Sequence, residues 1–449
     1  MMYDICDCPV SLDANDTLSE WNAMIRAFLA HGSATPTHLG AVMTAAPEFA
    51  MGHAARGLFS LMMGRAELVQ TAREAAQAAK AVLTATKVTR RETLWVTALD
   101  RWLEGHPSGA VAAMEEVLKD HPTDTLSAKV SHAIRFIMGD AQGMRRSIER
   151  VLDAHGADHP CRGYALGCHA FTLEETGEYD LAEAAGRAGL ELARDDAWGL
   201  HAVAHVYDMT ARPDMGIALI EENAGAWTHS NNFRYHVWWH KALLHLDRGE
   251  MDVALGLYDA QIRADKTDDY RDISNATSLL VRLELEGIDV GPRWNELADI
   301  AQRRTDDGCV VFADLHYMLA LTGADRPEAQ AAIAERFRRD AARAGEMQQR
   351  YARPGLSALD GLNAFAEGRY DAAFTALATA RPDMQSIGGS HAQRDVFERI
   401  TIDAGLRAGR LDQTEAILED RLARRAGQAD RFTRTRLDQL GETRRIPAQ

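Results

Sequence analysis

The stretch GEYDLAEAAGRAGLEL, Gly177–Leu192, decides the fold. A glycine is followed by an acid and an aromatic. Alanines and leucines then recur three and four residues apart, the period of one helical face. Glycine ends the preceding helix in a conformation other residues resist. The small residues after the turn let the next helix pack closely against it. The pattern returns in GEMDVALGLYDAQI from Gly249, GRYDAAFTALATA from Gly368 and GRLDQTEAILEDRL from Gly409. Weaker copies begin at His106, Gly139 and Arg212, and neighbouring copies lie roughly 33 to 41 residues apart, the period of tetratricopeptide-type hairpins. β-Branched alternation is nearly absent. The expected fold is all-α: an α-solenoid of antiparallel helix hairpins in a right-handed superhelix.

The 449 residues need no division under this reading, and no Pro/Gly/Ser-rich linker interrupts them. The expectation is one domain over residues 1–449, with 1–35 as an N-terminal cap, 264–310 as the least regular stretch and 436–449 as a frayed polar tail. Solenoid ends expose apolar faces unless capped, which leaves room for a homodimer through terminal helices.

Composition narrows the class. Hydrophobic residues make up 46% and charged residues 26%, as in a folded chain. The formal net charge of -16 argues against nucleic acid or anionic membrane as partner. Small molecules, proteins and peptides are the partner classes left. The five cysteines, Cys6, Cys8, Cys161, Cys168 and Cys309, are odd in number and scattered, which fits reduced thiols in the cytoplasm. No signal peptide and no membrane span is expected. Phosphate-loop, dinucleotide, GxSxG and zinc-ribbon motifs are missing.

Two histidine pairs stand out: His201 and His205 in HAVAHVYDM, then His236 and His240 in YHVWWHKALLHL. Residues four apart share a helical face, so each pair points two imidazoles the same way. Asp195-Asp196 and Asn231-Asn232 are suited to cap the two helices. Asp208 falls on the stripe of the first pair, and Asp247 on that of the second, flanked by Trp239, Leu243 and Leu244. Two histidines and a carboxylate suit a divalent ion, but neither pair carries the glutamate of HExxH. A lone histidine on an apolar face is usually a satisfied core residue. Two pairs within forty residues favour a site. Burying them requires partners, drawn from the other pair, Asp208, Asp259 or a ligand.

A second constellation is IGGSHAQRDVFERI, Ile387–Ile400. Ser390 and Gln393 form a capping box. Gly388-Gly389 before it leaves backbone N–H groups approachable to an anion. His391, Arg394 and Asp395 follow in the first turns. Asp314 and His316 open a third helix in FADLHYMLALTG. His132 and His169 are read as structural.

HAVAHVYDM, Trp227, the block YHVWWHKALLHLDRGEMDVALGLYD, FADLHYMLAL and GGSHAQRDVF together resemble the tetratricopeptide repeat protein 38 family. APEFAMGHAARGLFSLMMGR is similar to that family's first repeat, and the likeness runs through nearly the whole chain. It implies a tetratricopeptide-like superhelix and no established activity. The family motif positions it carries over are His201, His205, His236, Trp239, His240, Asp259, Asp314, His316, Ser390, His391, Gln393, Arg394 and Asp395.

Three functions follow from these residues. The first is an enclosed polar pocket for a small, anionic ligand, with acid–base or hydrolytic chemistry from His201, His205, His236, His240 and His391, oriented by Asp208 or Asp395. The second is an interaction scaffold with structural histidines. The third is a metalloprotein with a divalent ion on the histidine pairs. Convergence of the imidazoles on one point would favour metal, a spread cavity an organic ligand, and no cavity the scaffold.

Overall fold

The computed structural model describes residues 2–445. The chain is all-α, a series of antiparallel helix hairpins, apart from a two-stranded antiparallel ribbon pairing Met2–Tyr3 with Pro9–Val10. Consecutive helices pack as pairs: Ala50–Met62 with Ala66–Ala85, Arg90–Leu103 with Pro107–Asp120, Arg162–Glu175 with Tyr179–Leu192, and Leu356–Ala366 with Tyr370–Ala380. The repeat glycines make the turns: Gly177 has φ 86° and Gly368 φ 72°, where a side chain is strained. Small residues bring the paired helices together. A Cβ added at Gly361 would stand 2.6 Å from Leu377.

The chain forms two compact units. One comprises Met1–Val203 and Asn223–Arg234, the other Ala204–Glu222 and Tyr235–Gln449. In the first unit, the helix Asn15–Leu29 buries Trp21, Met24 and Ile25. Asp4, near the strand ribbon, is tied to the hairpins by the buried Arg91, which also pairs with Asp124 at 2.7 Å.

In the second unit, two segments are more regular than their sequence suggests. The stretch 264–310 contains the helices Tyr270–Leu285 and Arg293–Arg303. The tail expected to fray is helical over Arg431–Arg445, with Arg436 and Leu440 buried. Residues 446–449 lie outside the described residues. Among the described residues, no helix is long and apolar enough to cross a membrane.

Candidate functional site

The first histidine helix, Ala197–Met209, begins where the Asp196 side chain accepts the Trp198 N–H at 3.2 Å. The second, Phe233–Asp247, is capped by Asn231, which accepts the Phe233 N–H at 3.0 Å. In the second unit these helices bring together His205, His236 and His240, which are 0%, 8% and 2% exposed. Each offers a ring nitrogen, and these nitrogens all lie within 4.8 Å of one another. The His205 and His240 rings are 4.4 Å apart, and the Nε2 atoms of His236 and His240 are 3.1 Å apart. His201 stands one turn before His205 on the same helix. In the first unit its ring stacks 5.6 Å from Phe171 and lies 5.0 Å from Trp198.

A chain of hydrogen bonds fixes the protons of the pair. The Ser390 N–H, which can only donate, reaches Gln393 Oε1 at 3.1 Å. Gln393 Nε2 therefore donates to Asn275 Oδ1 at 3.1 Å. That turns Asn275 Nδ2 toward His236 Nδ1, 2.9 Å away. An amide nitrogen has no lone pair to offer, so His236 accepts at Nδ1 and carries its proton on Nε2. This proton then faces the Nε2 lone pair of His240. Burial, reinforced by the neighbouring His205, pushes His236 down to about 3 and holds His240 well below the ordinary histidine value. Both imidazoles are neutral at pH 7.

Trp239 walls the cluster. It is fully buried, stacks on His236 at 5.3 Å and meets His240 edge-on at 4.8 Å. The Arg282 guanidinium lies 5.5 Å from its ring. His316 donates from Nδ1 to the Phe312 carbonyl at 2.7 Å, leaving Nε2 with a lone pair, and burial pushes it down to about 3.

The expected capping box is present: Ser390 and Gln393 each bond the other's backbone. The glycine pair before it has a packing reason. Gly388 and Gly389 have φ 88° and 78°, and a Cβ on Gly389 would stand 2.7 Å from the Phe312 ring. Arg394 donates back to the Gly389 carbonyl, and His391 sits half-buried at the first helical position.

The carboxylates expected around the histidines are engaged elsewhere. Asp259 is half-exposed and pairs with Arg293 at 2.6 Å. Asp208 pairs with Arg425 at 3.3 Å, and Asp247 accepts the Arg431 N–H. Asp314 is bonded to Tyr351 and to Arg336, the latter at 2.8 Å. Asp395 pairs with Arg399 at 2.6 Å and with Arg421; these arginines outweigh burial and hold it well below the usual carboxylate range. Asp208, Asp247, Asp395, Glu286, Arg399 and Arg431 line a narrow cleft.

Asn275 and Arg282 were not among the residues singled out from sequence. Both lie on Tyr270–Leu285, whose Ser274, Asn275, Thr277, Ser278 and Arg282 are buried. Their polarity reads as a connection, and only the Asp269 cap signals a helix.

No known protein family matches the chain. Similar solved structures include the human IFIT1 dimer with m7Gppp-AAAA, 12% identical, with a TM-score of 0.43 and coverage of 97% of this chain and 96% of that one. The human IFIT1 dimer with PPP-AAAA is also 12% identical, with a TM-score of 0.41 and the same coverage. Naa15/Naa10 bound to HypK-THB is 10% identical, with a TM-score of 0.26, covering 90% and 68%. The expected exclusion of nucleic acid is corrected by the IFIT1 structures, which hold capped and triphosphate oligonucleotides. Net charge counts every acid alike, including those buried against arginine, and does not by itself rule out that partner class.

Proposed function

We propose that this is a tetratricopeptide-like repeat protein, of the kind named for tetratricopeptide repeat protein 38, whose second unit binds a divalent metal ion through His205, His236 and His240. The observation that carries this is their convergence: three buried, neutral imidazoles with ring nitrogens within 4.8 Å of one another. Ligands about 2.0–2.1 Å from a tetrahedral zinc ion stand roughly 3.3 Å apart. The 3.1 Å between the Nε2 atoms of His236 and His240 is close to that. Neutral imidazole is the form that ligates. His201 projects from the same face of its helix one turn away. For His236 to ligate through Nε2, its proton must move to Nδ1 and Asn275 must turn its amide oxygen toward it. The Asn275 amide nitrogen would then face Gln393 Nε2, a second donor, so Gln393 would have to reorient as well.

One observation favours a second reading. The relay from the Ser390 N–H places the His236 proton on Nε2, which suits a hydrogen-bonded pin between helices rather than a ligand. A metal-ligating histidine normally donates its other N–H to an acceptor.

Elemental analysis by plasma mass spectrometry separates the two, on untagged protein prepared with and without added zinc, iron or manganese. The metal reading expects close to one equivalent, lost in a His236→Ala/His240→Ala variant that keeps its helical circular dichroism. Wild-type protein that stays metal-free under every condition overturns it and leaves the pin.

A further inference from the structure

Arg282 is an unusual residue to bury. It is 1% exposed, and its two terminal nitrogens donate to neutral carbonyls, Ser278 at 3.1 Å and Ala392 at 2.6 Å. Its nearest carboxylate, Asp395, is 3.6 Å away and already shared by Arg399 and Arg421. Among the described residues, Arg282 Nε has no hydrogen-bond partner. Beside it, the indole Nε1 of the fully buried Trp239 has none, and neither has Nε2 of the fully buried His316. The Arg282 guanidinium lies 5.5 Å from the Trp239 ring, and His316 packs 5.0 Å from Phe397, on the helix whose Ala392 carbonyl accepts from Arg282. A buried charge or donor left unanswered is costly, and such groups are found paired.

We infer that Arg282, Trp239 and His316 anchor a small oxyanion, a carboxylate or phosphoryl group. Arg282 Nε and Trp239 Nε1 supply two N–H donors, and the guanidinium supplies the charge. His316 Nε2, whose tautomer is set by the Phe312 carbonyl, accepts from a hydroxyl on the same ligand. Charge sign excludes a cation here, since an arginine faces the site and its nearest carboxylate, Asp395, is held by two other arginines. A narrow cleft reaches Asp395, which lies 3.6 Å from Arg282. The inference lies beside the proposed metal site but stands without it.

The test is thermal unfolding of the full chain after chelator treatment, titrated separately with inorganic phosphate and with succinate, with sodium chloride as the ionic-strength control. The expected result is a saturable rise in Tm with phosphate or succinate and none with chloride. Arg282→Met should weaken the apparent affinity at least about tenfold, the effect of losing a charge-assisted hydrogen bond. Trp239→Phe, which keeps the ring and deletes the donor, should weaken it severalfold and serves if Arg282→Met does not fold. No saturable shift with either anion, or an unchanged midpoint in these variants, overturns the inference. Because the protein is metal-free in this assay, the result is independent of the elemental analysis.

Discussion

Asp196 shows what a single side chain is asked to do in this fold. One carboxylate oxygen accepts the Trp198 N–H at the start of the first histidine helix. The other lies against Gly167 and Gly199, where an added Cβ would collide with it, so both glycines are needed for the close approach. Burial pushes Asp196 up to about 7. The folded state therefore holds this proton more tightly than the unfolded chain does. The resulting stability is fully present below about pH 4 and is lost as pH rises through 7. A rise from 3.8 to about 7 corresponds to at most about 4 kcal/mol. Asp196→Asn keeps the acceptor and removes the titration. Its Tm should change less than that of wild type between pH 4 and 8, with the variant the more stable at pH 8. Equal pH slopes in the two proteins would show that the carboxylate does not titrate in this range. The cap was legible in the sequence, because Asp before a helical period has a local meaning. The burial was not, because it depends on the close approach of Gly167 from another helix.

At the scale of elements, the histidine pairs were legible for the reason the repeat was: a four-residue spacing fixes a shared face whatever surrounds it. The helix Tyr270–Leu285 was not. It is buried on nearly every side, so no apolar stripe alternates with a polar one. Its polar residues are paid for by partners 39 and 118 residues away, His236 and Gln393. The glycine pair before Ser390 misled in the opposite direction. It suggests an anion cradle locally, and only the Phe312 ring explains it. Asn275 joins three helices through two bonds, which makes it the test of the relay. Asn275→Ala leaves Gln393 Nε2 and His236 Nδ1 without these partners, and should cost about 3 kcal/mol in urea unfolding. A loss under about 0.5 kcal/mol, the range of an ordinary surface substitution, would mean that the relay holds nothing together.

At the scale of the whole molecule, the formal charge hides how acids and arginines are distributed. In the second unit Glu286 bonds Arg431 and Arg436, Asp403 bonds Arg436 at 2.9 Å, and Asp430 bonds Arg421 at 2.5 Å. The Glu286 and Asp403 side chains are each 8% exposed. The polar C-terminal segment reads as solvated because its arginines are adjacent to acids in sequence. Their partners are instead on helices more than a hundred residues back or on the preceding hairpin, which no local pattern reveals. The last helix thus completes the second unit. Ending the chain at Ala429 removes Arg431, Phe432 and Arg436 and leaves Glu286 and Asp403 without these cations. Breaking a buried ion pair from one side costs about 3–5 kcal/mol, and in a unit of this size that lowers Tm by roughly 10 °C. The comparison is the Tm of residues 1–429 against 1–445 by circular dichroism. Restoring the charges with a synthetic 430–445 peptide added in excess should recover part of the loss, because the peptide binds only the folded unit. An unchanged Tm in the truncated chain would mean that the helix is an ornament on a unit already closed by Asp395, Arg399 and Arg421.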